Sequence, residues 1–186
     1  MIDMKNSKVL KLSISSMLAA LVCVATIIFI IPIPLGGYIN LGDGFVLLSG
    51  WILGPAYGFA AAAVGSALAD VFSGYVIYAP ATFLIKGLMA AMAAVIAKKL
   101  ADKSGRLFTS HIVSAVTAEI IMVSGYYLAD ATILKLGFTG AAANIPWSCI
   151  QGLAGGAIAT ALAAIIAKTN VLKKADPYVI NHIKLS

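Results

Sequence analysis

The chain has 186 residues, of which 61% are hydrophobic and 11% charged, and its formal net charge is +6. A soluble domain carries roughly 25% charged residues to face water, so this composition excludes one and predicts a single integral membrane domain over residues 1–186. The basic residues form no patch along one soluble face, which excludes a nucleic-acid partner.

The expected fold is all-α: a bundle of six transmembrane helices at 9–31, 44–53, 56–72, 80–100, 108–129 and 143–168. A basic stretch (Lys5, Lys8, Lys11) precedes the first apolar run. No small-residue cleavage site follows that run, so it reads as a spanning helix and not a leader. Ser15, Ser16, Ala19 and Ala20 on this helix form small-xxx-small pairs, a face suited to a partner helix. Pro32 and Pro34 end the helix, Gly36-Gly37 follow, and a non-helical loop is expected through Asp43.

Gly54-Pro55 breaks the next apolar stretch, and charge parity decides how to read it. One pass there would place Lys98, Lys99, Lys103 and Arg106 on the side opposite the N-terminus. Two passes put them, both termini and the basic C-terminal tail (Lys168, Lys173, Lys174, Lys184) on one side. The positive-inside rule makes that side cytoplasmic. Ten residues at 44–53 rise only about 15 Å of a roughly 30 Å hydrocarbon core. That helix must therefore be short, tilted or extended by the loop before it. Ser73 to Pro80 makes a second outer loop, and Gly137 to Gly140 the last one. Small residues at spacings of three and four, such as Gly58, Ala62, Gly65 and Ala69, let helices approach closely.

An ionisable side chain in mid-helix costs roughly 2.5–3.5 kcal/mol on the insertion scale, so the few present here are informative. Lys86 and Glu119 lie within helices, Asp70 near an outer helix end, and Asp43 and Asp130 at the outer boundary. Two readings are open: a structural ion pair of Lys86 with Glu119 or Asp70, or the lining of a polar cavity. On the last helix Asn144, Trp147, Ser148, Gln151 and Gly155 share one face, as Glu119, Met122 and Tyr126 do on the fifth. Thr82 lies one turn before Lys86, and Tyr75 and Tyr78 fall in the loop over the same end. The candidate binding residues are thus Asn40, Asp43, Asp70, Tyr75, Tyr78, Thr82, Lys86, Glu119, Tyr126, Asn144, Trp147 and Gln151. Such a mixture suits a small, flat, hydrogen-bonding ligand; an interfacial belt is the alternative for the aromatics.

No Walker loop or HExxH is present, and His111 and His182 have no evident catalytic partner. Cys23 and Cys149 fall inside apolar runs with no metal-ligand spacing. No metal, no cofactor and no enzymatic activity are expected.

The string Gly37-Tyr38-Ile39-Asn40-Leu41-Gly42-Asp43 resembles the first-loop motif of the substrate-binding (S) components of energy-coupling-factor (ECF) transporters. Leu53-Gly54-Pro55, Gly65-Ser66-Ala67-Leu68-Ala69-Asp70, Gly74-Tyr75, Tyr78-Ala79-Pro80-Ala81-Thr82 and Ile85-Lys86-Gly87 follow in order. The succession is similar to the branch with predicted riboflavin, hydroxymethylpyrimidine and pyridoxine carriers, and it covers residues 37–87. The resemblance implies a multi-pass protein of the bacterial plasma membrane that binds a vitamin from outside. It also implies docking on a transmembrane coupling (T) protein with two cytoplasmic ATPases, and toppling in the membrane to carry the site inward. The family docks through an Ala-xxx-Ala pattern in helix one, for which Ser15-xxx-Ala19 and Ser16-xxx-Ala20 are the nearest equivalents. Hydroxymethylpyrimidine or pyridoxine is the expected substrate, since no cluster of basic residues awaits a phosphate. Riboflavin is the alternative, and a proton-coupled carrier working alone through Asp70 or Glu119 is a further one.

Overall fold

The computed structural model describes residues 4–104 and 107–168. Arg106, His182 and the basic residues from Lys173 onward lie outside them. The order of elements is α1 (Met4–Ile28), β1 (Ile31–Pro32), β2 (Tyr38–Ile39), α2 (Asp43–Phe72), α3 (Ala79–Ser104), α4 (Leu107–Thr132), α5 (Gly137–Ala142) and α6 (Ile145–Lys168). Five of the described helical stretches are long and apolar enough to cross a membrane. Their outward faces carry large apolar side chains such as Met17, Phe72, Ile120 and Leu153, as a lipid-facing surface requires.

α1 stops three residues short of the expected 31 because Pro32 and Pro34 lie ahead. The chain instead forms a small antiparallel hairpin, pairing Ile31 with Ile39 and Pro32 with Tyr38. Pro32 lacks an N–H and is tolerated in so short an edge strand.

α2 is interrupted at Gly54, whose φ of 77° and ψ of −179° are open only to glycine. Pro55 forces the extended ψ on the residue before it. The segments on either side, 43–53 and 55–72, then double back on each other. A Cβ added to Gly58 would lie 2.7 Å from the Cα of Gly50, whereas positions eight apart in an unbroken helix are about 12 Å apart. Both ends of α2, Asp43 and Asp70, consequently reach the same end of the bundle.

The core is built from alanines with a few larger apolar side chains: Val46, Leu47, Met89, Ala90, Ala93, Ala118, Met122 and Ala159 are buried around one centre. Glycines set the closest approaches. Gly65 lies against the Ala19 carbonyl of α1, Gly50 against the Ala90 carbonyl of α3, and Gly87 against the Phe59 ring. The loop expected at 137–140 is corrected: Gly137 to Ala142 form the short helix α5. Six residues are too few for any periodicity to register.

Candidate functional site

At the end of the bundle that holds the hairpin, the α2–α3 turn and the α4–α5 turn, a polar cavity opens. It offers about 40 Å³ to the centres of water molecules, and one water needs roughly 10–15 Å³ by this measure. The hairpin covers it with Gly36, Gly37 and Tyr38. Asp70, Tyr78, Thr82, Tyr126, Asp130, Asn40, Ser148 and Gln151 supply its polar walls, and Met122 closes its depth.

The walls are cross-linked by hydrogen bonds between elements distant in sequence. The Tyr38 hydroxyl donates to Asp70, joining the hairpin to the end of α2. Tyr78 donates to Asp130 at 3.1 Å, and the Asn144 amide donates to the other oxygen of Asp130 at 2.8 Å. Thr82 and Tyr126 share a bond of 3.1 Å. The backbone N–H of Asn40 donates to the Gln151 carbonyl oxygen at 3.0 Å, and the Gln151 amide donates to Asp43 at 2.6 Å. Burial, then the neighbouring Asp70 carboxylate, raises the pKa of Tyr38 above the ordinary phenol value. Burial and Asp130 do the same for Tyr78. Both hydroxyls therefore serve as donors over the whole physiological range.

Beneath this layer Lys86 forms an ion pair with Asp43, and its ammonium lies 5.2 Å from the centre of the Tyr126 ring. The ion pair considered from the sequence, Lys86 with Glu119 or Asp70, is thus corrected. The chain reversal at Gly54 leaves the N-terminal end of α2 beside α3, and Asp43 takes the lysine. Asp43 itself begins a helix instead of sitting in a loop, and it is 0% exposed.

Of the twelve expected binding residues, Asn40, Asp70, Tyr78, Thr82, Tyr126 and Gln151 line the cavity. Asp43, Lys86 and Asn144 hold the lining residues from behind. Tyr75 packs on the Tyr38 ring with centroids 4.5 Å apart, in the cover and not the wall. Glu119 lies one turn deeper than Met122 on α4. Trp147 is 39% exposed and turned away from the cavity; Asn144, Ser148 and Gln151 occupy the inward stripe of α6 and leave it at the edge. Asp130, Ser148 and Tyr38 belong to the wall although the candidate list omits them. Asp130 follows Tyr126 by four residues on the face of Glu119, Met122 and Tyr126, and that spacing was the available signal.

At the partner face expected on α1, Ser15 is corrected: it is buried, its hydroxyl bonded to the Lys11 carbonyl at 2.8 Å. Ala19 is half-buried against Gly65. Ser16 and Ala20 face outward. At the opposite end of the bundle, His111 stacks on Trp51 with centroids 4.3 Å apart, a packing contact.

Helices long and apolar enough to cross a membrane, packed around a small cavity with polar walls near one end, define a multi-helix membrane protein. The profile described as "ECF-type riboflavin transporter, S component" matches residues 6–168. The chain belongs to this family of ECF transporter S components, which are transport subunits and not enzymes. It is 34% identical over 148 residues to a protein of Pyrococcus woesei described as "Uncharacterized protein in gap 3'region", covering 79% of this chain and 95% of that one. A solved structure described as "Structure and mechanism of the S component of a bacterial ECF transporter" aligns with a TM-score of 0.66 at 25% identity. The alignment covers 90% of this chain and 99% of that chain.

Proposed function

We propose that this chain is the substrate-binding and translocating subunit of an ECF-type importer for a small, flat, water-soluble vitamin. The observation that carries this reading is the cavity itself. Its walls come from five separate segments tied by hydrogen bonds, and it mixes donors and acceptors around Tyr78 and Tyr126. Among the described residues lining it, a phosphate or polycarboxylate finds no free cation, since Lys86 is taken by Asp43.

The family profile favours riboflavin, and the chain takes that substrate as its leading candidate. Hydroxymethylpyrimidine or pyridoxine is the second reading, favoured by the small volume of the cavity. Either ligand is larger than that space, so the hairpin cover with Tyr38 and Tyr75 lifts to admit it. In this reading the bundle crosses the membrane six times, the segments 43–53 and 55–72 counting as two passes, with the cavity outside and both termini in the cytoplasm. Family membership supports a complex with a T component and cytoplasmic ATPases. The outward residues Ser16 and Ala20 of α1 are the proposed docking face.

Calorimetry of the purified chain in detergent against riboflavin, hydroxymethylpyrimidine and pyridoxine tests the reading. Saturable binding of one of them, weakened at least tenfold by Gln151→Ala or Tyr126→Ala, is the expected result. Absence of binding to all three by protein with an intact melting transition would overturn it.

A further inference from the structure

At the end of the bundle opposite the polar cavity, a cleft of about 590 Å³ opens between the kink of α2, the end of α3 and the start of α4. That size falls in the range of about 300–1,000 Å³ typical of small-molecule sites. Lys98 and Lys99 line it from α3, and Asp102 is the one carboxylate in its wall among the described residues. Both lysines are exposed, and they stand five or six residues before Ser104, where α3 ends. That is about 8 or 9 Å along the helix axis, and lysine stems reach toward water, so their ammonium groups come to the level of lipid head groups. Gly54 and Pro55 add the start of the second segment of α2 to the wall, and a helix start favours an anion beside it.

His111 lines the same cleft. It is 8% exposed, and its ring forms no hydrogen bond among the described residues, its backbone carbonyl alone accepting one, from Ser114 at 2.9 Å. One face of the ring is covered by Trp51, whose indole N–H is fixed on the Ser114 hydroxyl at 3.0 Å. The edge of the ring is left, and even a neutral imidazole presents one N–H donor there. Buried polar groups are almost always paired, so an unpaired imidazole on a cleft with two lysines points to an acceptor. Trp51, Leu107 and His111 also line an adjoining space of about 320 Å³ between α2, α4 and α6. Its other described walls are apolar: Leu48, Ile52, Phe108, Ala163 and Ala164 among others.

The positive-inside rule accounts for lysines at one end of a bundle. It does not account for their gathering on a cleft that holds a buried imidazole and continues into an apolar space. We propose that this cleft binds the phosphate head group of an anionic phospholipid, with one acyl chain in the adjoining space between α2, α4 and α6. Lys98, Lys99 and the His111 N–H donate to the phosphate oxygens, and the chain passes Trp51 and Leu107. Each half of the site disfavours a different rival. A zwitterionic lipid brings a cation of its own to the lysines, and a water-soluble phosphate leaves the apolar space unfilled. Basic pockets between transmembrane helices recognise lipid head groups by this combination. The site is separate from the polar cavity and does not depend on which vitamin that cavity takes.

Quenching of tryptophan fluorescence by brominated lipid tests the site. Trp147→Phe leaves Trp51 as the only tryptophan, and Trp51 lines both spaces. The full chain with that substitution is reconstituted in phosphatidylcholine vesicles doped with dibrominated phosphatidylglycerol or dibrominated phosphatidylcholine. Phosphatidylglycerol should quench saturably, with an apparent affinity at least fivefold above that of phosphatidylcholine. The preference should vanish when Lys98→Gln and Lys99→Gln are combined. It should fall at least threefold in His111→Phe, whose ring can still stack on Trp51. Lys8→Gln, which removes an exposed cation from α1, should leave it unchanged, and an intact melting transition shows that each variant is folded. Equal quenching by the two lipids in the parent chain would overturn the proposal. So would an equal loss in Lys8→Gln, which would reduce the preference to general surface charge. Full relief of the quenching by millimolar glycerol 3-phosphate would overturn it too, assigning the cleft to a soluble phosphate ester.

Discussion

The side chain of Lys86 shows how one residue joins the site to the stability of the bundle. Its ammonium is buried and paired with Asp43, which in turn holds Gln151 in the cavity wall. Removing one partner of a buried pair leaves the other charge unpaired, at about 3–5 kcal/mol, while replacing both can be nearly neutral. Lys86→Ala should therefore lower the thermal midpoint in detergent as well as weaken ligand binding. Lys86→Met combined with Asp43→Asn should recover most of the midpoint but not the binding. Equal midpoints for Lys86→Ala and the wild type would show that the pair is not formed in the protein.

Two other residues give the cavity cover an alkaline limit. The pKa values of Tyr38 and Tyr78 are raised in the folded chain above the unfolded phenol value of about 10. The stability they contribute is complete below pH 10 or so and is lost as pH climbs toward their folded values. Melting curves taken from pH 8 upward should show the midpoint falling beyond about pH 10. The fall should be shallower in Tyr38→Phe and shallower again when Tyr78→Phe is added. A slope unchanged by both substitutions would mean that their carboxylate partners do not hold these hydroxyls.

At the scale of elements, glycine sets the distance between helices. Gly65 of α2 touches the Ala19 carbonyl, and an added Cβ would also lie 3.0 Å from Val22. Gly65→Leu should push α1 off the bundle and cost about 1–3 kcal/mol, as overpacking does. Leu68→Ala, one turn away and facing lipid at 42% exposure, should be close to neutral. A midpoint for Gly65→Leu within the range of Leu68→Ala would place α1 elsewhere. The helices themselves were legible because Pro32, Pro34, Gly54-Pro55, Ser73-Gly74 and Gly137 punctuate long apolar runs. The hairpin and α5 were not, because strands of two residues and a helix of six carry no periodicity. Half of the candidate site was likewise legible as ionisable or amide groups inside apolar helices. The pairings were not, since Lys86 meets Asp43 only after the chain reverses at Gly54. Trp147 misled for a related reason: a stripe of residues read from spacing has edges, and only packing decides which side an edge residue takes.

For the whole molecule, the proposed six-pass topology rests on the reversal at Gly54, and the parity of the membrane crossings can be measured. If 43–53 and 55–72 are separate passes, Lys8 near the start of α1 and Asp102 at the end of α3 lie on one side. Lys135, in the turn after α4, then lies on the other. An unbroken α2 crossing once would separate Lys8 from Asp102. All three positions are exposed, so single cysteines there can be read with a membrane-impermeant maleimide after Cys23 and Cys149 are changed to Ser. In intact cells Lys135→Cys should label, while Lys8→Cys and Asp102→Cys should label only once the membrane is opened. The distribution of charge argues the same way: Lys98, Lys99 and Lys103 gather at the end away from the cavity, where the positive-inside rule wants them. Labelling of Lys8→Cys and Asp102→Cys from opposite sides would refute the six-pass topology. It would also move the polar cavity relative to the membrane, and with it the direction from which a vitamin must enter.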